Sequence, residues 1–231
     1  MKNKKVLSSL IALTSVFSTF GVWSATVNVN FNTVYQTIDG FGGMNGSGWI
    51  DDLTAAQAQT AFGTDTGQMG LSVMRMRIDP NSDQWNKQLP TAKIAANYQV
   101  KLLATPWTPP AYMKDNDSLI NGGKLEAYHY WGYTDHLNNF VDYMKTNGAL
   151  LYALSLQNEP DWHPDYESCD WNGTDFVNYL QSQGERLDSS VKILAPESLN
   201  FNHALSDPLL NNSTTAKYVD IIGGHLYGTT C

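Results

Sequence analysis

The chain has two cysteines in 231 residues, Cys169 and Cys231. Two thiols exclude a disulfide scaffold and a multi-cysteine metal site, and an exported chain could carry at most one bridge, between them. Positive charge is scarce as well. Lys and Arg number 14 against 22 Asp and Glu, and setting aside Lys2, Lys4 and Lys5 at the start leaves 11 against 22, a formal −11. That balance argues against nucleic acid and acidic lipid surfaces as partners. His163, His203 and His225 stand apart without ligand spacing, so no metal site is expected. Nucleotide signatures are missing too: Gly40-Phe-Gly-Gly43 lacks the spacing of a dinucleotide fingerprint, and no phosphate loop with Lys and Ser/Thr follows any apolar run. No cofactor is implied.

A membrane span needs about 20 strongly apolar residues. The longest uncharged stretch near the start, Val6 to Trp23, is diluted by four serines and two threonines before Gly21. Behind Lys2, Lys4 and Lys5 it reads instead as a secretory signal. Val22 and Ser24 stand at the recognition spacing for cleavage after Ser24. The expectation is a signal at 1–24, a single catalytic domain at 25–231, and a secreted protein, extracellular or periplasmic.

Val27, Val29 and Phe31 alternate with polar residues, which predicts a half-exposed strand over Thr26–Phe31, one that would join a side β-domain. Apolar runs suited to buried parallel strands follow at Thr37–Phe41, Leu71–Ile78, Lys101–Ala104, Leu150–Leu156, Val191–Ala195 and Tyr218–Ile222. Helical signals lie between them. Thr54 and Gln57 have the spacing of a capping box, opening a helix that ends near Gly63. Leu137, Phe140, Val141 and Met144 recur at helical spacing before Gly148, and Phe176, Tyr179 and Leu180 mark another helix.

This rhythm predicts a parallel α/β fold. Polar and aromatic clusters follow each strand: Gly42–Trp49, Arg77–Asp79, Pro106–Pro110, Gln157–Trp162, Glu197–Asn200 and His225–Gly228. Active sites of (β/α)8 TIM barrels sit at such strand ends, which favours a barrel over a doubly wound sheet. With six strand signals, the barrel is expected to be truncated after about the sixth strand, because six strands leave two open edges.

The segment Leu150-Leu-Tyr-Ala-Leu-Ser-Leu-Gln-Asn-Glu-Pro-Asp-Trp162 delivers a polar pair, Asn158 and Glu159, from a buried strand that Pro160 ends. Glycoside cleavage needs one carboxyl to protonate the leaving oxygen and a second to attack or to activate water. Glu159 fits the first role. Asn158 fits a donor to a sugar hydroxyl, although Asn-Glu could also merely cap a turn before Pro160.

Asn158-Glu-Pro160 after a fourth barrel strand resembles the acid/base motif of the clan of retaining (β/α)8 glycosidases. Gly40-Phe-Gly-Gly-Met44, Gly48-Trp-Ile-Asp-Asp-Leu53, Arg75-Met-Arg-Ile-Asp79, Ala104-Thr-Pro-Trp-Thr-Pro-Pro110, Ala195-Pro-Glu-Ser198 and Gly224-His-Leu-Tyr-Gly228 together resemble glycoside hydrolase family 30, and within it the bacterial glucuronoxylan-cleaving xylanases. The resemblance implies a retaining mechanism with Glu159 as general acid/base and a glutamate nucleophile after a seventh strand, which the chain does not contain. Glu197, after the fifth strand, is expected by its position to line or brace the barrel mouth rather than to be that nucleophile, and the resemblance implies that Arg77 supports the nucleophile carboxylate electrostatically. An ion pair of Arg77 with Asp79 or another acidic neighbour is the alternative.

Seven Trp and twelve Tyr suit sugar faces as well as ordinary cores. Trp49, Trp107 and Tyr227 resemble the family's sugar-facing positions, His225 can bond a carboxyl or a sugar hydroxyl, and Trp85, Trp162 and Trp171 either widen the cleft or are structural. The expected partner is a polysaccharide, xylan, and the full-length protein is expected to be a monomer. The rivals are a glucosylceramidase-like or β-glucanase activity, and a sugar-binding protein without catalysis.

Overall fold

A computed structural model describes residues 27–228 apart from Val29 and Phe31. The expected signal at 1–24 and Cys231, with the one bridge it could form, lie outside the described residues. Of the strand expected at Thr26–Phe31, Thr26, Val29 and Phe31 also lie outside them, and Val27, Asn28 and Asn30 are not in a strand. Two units divide the chain, Met1–Ile38 and Asp39–Cys231. The described part of the first has no helix or strand, and its Val27, Val34, Tyr35 and Ile38 are exposed.

The second unit holds six parallel strands, hydrogen-bonded in chain order: β1 (Gly42–Met44), β2 (Val73–Ile78), β3 (Lys101–Pro106), β4 (Leu151–Ser155), β5 (Lys192–Ser198) and β6 (Ile221–Gly224). Helices separate them: α1 (Ala55–Phe62), α2 (Leu89–Asn97), α3 (Tyr130–Thr146), α4 (Gly173–Gln183), and the pair α5 (His203–Leu210) and α6 (Ser213–Ala216). Parallel neighbours joined by helices are repeated β/α units, and their shared twist curls the sheet into part of a barrel. Among the described residues, the outer edges of β1 and β6 have no strand partner.

Local signals explain where the elements begin and end. In α1 the Thr54 hydroxyl accepts from the Gln57 amide at 3.3 Å, and the Gln57 side chain accepts from the Thr54 amide at 2.9 Å, so the capping box forms as the spacing predicts. Gly148, at φ +79°, turns the chain from α3 back into β4, a left-handed conformation that glycine adopts without steric cost.

Helix α3 buries Leu137, Phe140, Val141 and Met144 completely, a stripe at helical spacing. Strand β2 alternates. Met74, Met76 and Ile78 are buried with the helix layer in the core, which by the period of two gives Arg75 and Arg77 to the other face.

Three expectations need correction. The first strand is Gly42–Met44 rather than Thr37–Phe41: Phe41 is exposed, and a Cβ at Gly42 would collide with the Val73 carbonyl. Close backbone approach selects glycine there, and glycine leaves no hydrophobic period to read. Strand β5 continues through Pro196 to Ser198, so Glu197 belongs to the strand rather than the loop after it. Strand β6 is shifted to Ile221–Gly224, with Gly223 packed against the Leu194 side chain. Trp85 and Trp171 are core residues, and so is Cys169, whose thiol burial pushes up to about 12.

No described helix is long and apolar enough to cross a membrane. No group of three metal-ligating side chains gathers among the described residues.

Candidate active site

Beyond Ser155 the backbone leaves β4 pinned on both sides. The Asn158 amide donates to the Pro106 carbonyl at 2.9 Å, and the Glu159 amide donates to the Glu197 carbonyl at 2.8 Å. Glu159 itself sits at φ +41°, a left-handed conformation that costs a non-glycine residue roughly 1–3 kcal/mol and that clusters at functional sites. The strain has a use. It turns the Glu159 side chain into a cleft of about 800 Å3 at the carboxyl ends of the strands, walled by Met44, Trp49, Trp107, Ile120, Trp162, Tyr166, Leu199 and Tyr227.

A larger hollow, about 950 Å3, opens at the opposite end of the sheet, beside Lys101, Leu151 and Lys192. These residues begin β3, β4 and β5, and (β/α)8 enzymes do not place their chemistry there.

His225, just past β6, links the two glutamates. Its Nδ1 lies 2.7 Å from Glu159 Oε1, and its Nε2 lies 3.2 Å from Glu197 Oε1. Arg75 Nη2 forms an ion pair with Glu197 Oε1 and donates to Asn158 Oδ1, both at 2.6 Å. Asn158 Nδ2 in turn lies 3.3 Å from Glu159 Oε2. Hydrogen bonds to Glu159 and then to Glu197 raise the His225 pKa to about 9, against the opposing effect of burial. Burial pushes the Glu197 carboxyl up, but the His225 hydrogen bond and the Arg75 charge outweigh it and hold that carboxyl below its ordinary value.

The raised His225 pKa makes folding pH-dependent. A group whose folded pKa exceeds its ordinary 6.5 contributes stability that is fully present below that value and is lost as pH rises through about 9. Urea unfolding should therefore show a loss of about 1–3 kcal/mol between pH 6.5 and 9.5. The His225→Asn variant should be nearly flat over that window. A wild-type curve equally flat would contradict the double hydrogen bond.

The cleft brings together Glu159, Asn158, His225, Trp49, Trp107, Tyr227 and Trp162, all singled out in the sequence. It pairs Arg77 with neither Glu159 nor Glu197. The Arg77 guanidinium makes a two-pronged ion pair with Glu167 and a second ion pair with Asp79, which raise its pKa against the opposing effect of burial, and it lies 4.8 Å from the Trp49 ring centre. The arginine at the carboxylates is Arg75, whose guanidinium also covers the Trp107 ring at 4.3 Å. Arg75 and Arg77 share one strand face, so the signal was present in the period, but the sequence alone could not say which of them reaches Glu197.

Sequence reasoning also missed Ile120, Tyr166 and Glu167 on the cleft wall. A buried lysine helps build that wall: Lys114 donates to the carbonyls of Ser118 and Ser168, each at 2.7 Å, tying the loop after β3 to the loop after β4. Burial lowers its pKa.

The family model described as the glycosyl hydrolase family 30 TIM-barrel domain matches residues 70–230. The chain belongs to glycosyl hydrolase family 30. It is 39% identical to glucuronoxylanase XynC of Bacillus subtilis over 209 residues, covering 89% of this chain and 48% of that protein. The solved structure of the family 30 subfamily 8 xylanase Xyn30A from Clostridium acetobutylicum is 44% identical, with a TM-score of 0.80, and the match covers 87% of this chain and 53% of that one. Putative glucosylceramidase 2 of Caenorhabditis elegans is 25% identical, over 86% of this chain and 48% of that protein. The chain thus spans about half the length of the relatives it matches, and the six strands among its described residues match a truncated form of the family's TIM barrel.

Proposed function

We propose that the chain carries the acid/base half of a secreted retaining xylanase that cleaves β-1,4-xylan. Glu159 protonates the departing glycosidic oxygen and then, as the carboxylate, takes a proton from the water that releases the sugar. Asn158, held by Arg75, faces the hydroxyl next to the reacting carbon. The exposed Trp49 and Tyr227 offer ring surfaces to the sugars, combining apolar contact with polar edges, and the buried Trp107, covered by Arg75, lines the cleft with them.

The observation that carries this reading is Glu159 itself: a buried glutamate in a left-handed backbone, bonded to His225 and opening on an aromatic cleft. A sugar-binding protein without catalysis would need the rings but not this carboxylate. Greater identity to the two bacterial xylanases than to the glucosylceramidase favours xylan over glucosylceramide.

The retaining reaction needs a second carboxyl about 5–5.5 Å from the first, and Glu197 is already engaged with Arg75, His225 and Thr105. The resemblance places that second group after a seventh strand. The 231-residue chain should therefore release no reducing sugar from xylan, and its open β1 and β6 edges should make it self-associate. Joined to the carboxyl-terminal remainder of the Clostridium acetobutylicum relative, the same residues should give xylan hydrolysis with retention and little action on β-glucan. Turnover by the 231-residue chain alone, as a soluble monomer, would place the nucleophile among the residues present.

A further inference from the structure

Glu197 is a buried charged group beside Glu159 and His225 to which the proposed reaction gives no part. Only 4% of it is exposed, and three side chains hold it. Arg75 reaches one carboxyl oxygen at 2.6 Å and His225 Nε2 reaches the same oxygen at 3.2 Å, while the Thr105 hydroxyl reaches the other at 3.2 Å. The opposite ring nitrogen of His225 faces Glu159 at 2.7 Å. An ionised carboxylate can only accept hydrogen bonds. An imidazole joined through both nitrogens to two such groups has to donate from both, and is then a cation.

We propose that Glu197 is a positioning residue for the reaction: its carboxylate holds His225 as a doubly protonated imidazolium and turns the Nδ1 proton onto Glu159. The proposal rests on the acid/base reading of Glu159. The groups that face His225 are Glu159 after β4, Glu197 on β5 with Arg75 of β2 behind it, and the Tyr227 ring, 5.7 Å away centre to centre. The pKa directions of His225 and Glu197 agree with that arrangement.

The Nδ1 contact has a consequence for the reaction: it fixes the Glu159 carboxyl at the cleft, where the proton has to be delivered.

Nitrogen-15 NMR of the chain joined to the remaining barrel tests this without reference to xylan. At pH 7.5 both His225 ring nitrogens should carry protons, and a neutral ring there would overturn the proposal whatever the enzyme's substrate. In Glu197→Gln the His225 titration midpoint should fall by roughly one unit or more. On xylo-oligosaccharides that variant should lose about ten- to a hundredfold in kcat, with KM within about threefold and the alkaline limb of the pH profile moved to lower pH. Unchanged midpoint and unchanged limb would reduce Glu197 to a merely structural residue. If Glu197→Gln does not fold, the wild-type ring measurement and the Glu197→Asp variant, which should keep the imidazolium, still decide. Covalent labelling of Glu197 by a fluorinated xyloside would make it the nucleophile and end the proposal. A wild-type joined protein inactive on xylan but with a doubly protonated His225 would count against the xylanase reading alone.

Discussion

Glu159→Gln, made in the chain joined to the remaining barrel, should lower xylan turnover by about 10²–10⁴-fold, the usual worth of positioned acid/base catalysis. Folding should survive. Glutamine keeps the shape of the side chain, and the backbone bond from the Glu159 amide to the Glu197 carbonyl does not depend on the carboxylate. Xylan binding should survive too, because the ring surfaces of Trp49 and Tyr227 remain. Isothermal titration with xylo-oligosaccharides beside a reducing-sugar assay separates the two effects. Near wild-type turnover would remove Glu159 from the acid/base role.

The second large effect belongs to Arg75. Arg75→Met deletes the cation bonded to Glu197 and Asn158 and leaves a buried carboxylate with His225 as its only charged partner. Removing one member of a buried pair costs about 3–5 kcal/mol, and the 18% exposure of the Arg75 side chain puts the expected loss at the lower end. Activity should fall with it, because Asn158 loses the group that orients it. Arg77→Met is the control. Its partners, Glu167 and Asp79, are each about one-sixth exposed and regain water, so stability should fall less and kcat should fall far less than for Arg75→Met. Denaturant unfolding and kcat measured on both variants make the comparison. A larger kcat loss from Arg77→Met would restore Arg77 to the carboxylate side.

Much of this fold was legible because its signals are local. The Thr54 and Gln57 box, the stripe from Leu137 to Met144 and the stop at Gly148 each concern residues within a turn or two of one another. Each was read from spacing and found in place. Parallel strands came through as apolar runs because both their faces are covered.

What failed to come through depends on distant neighbours. Gly42 is a strand residue because Val73 crowds it, and nothing near Gly42 in sequence records that. Pro196 hid the end of β5, since proline argues against an interior strand position, and with it hid the fact that Glu197 sits within that strand.

The site divides in the same way. Asn158, Glu159 and His225 stand beside breaks in hydrophobic runs, where strand ends can be read. The ion pair of Arg77 with Glu167, by contrast, joins residues 90 positions apart, and nothing near Arg77 in sequence records it.

Azide rescue of Glu159→Ala tests the central claim most directly. With an aryl xylobioside whose leaving group needs no proton, the variant in the joined protein should still form the glycosyl-enzyme and then stall, because no base activates water. Azide, a nucleophile that needs no base, should restore turnover and give the β-xylobiosyl azide as product. The account predicts that rescue and that stereochemistry. An α-azide product, or no rescue from a folded variant that still binds the substrate, would contradict it.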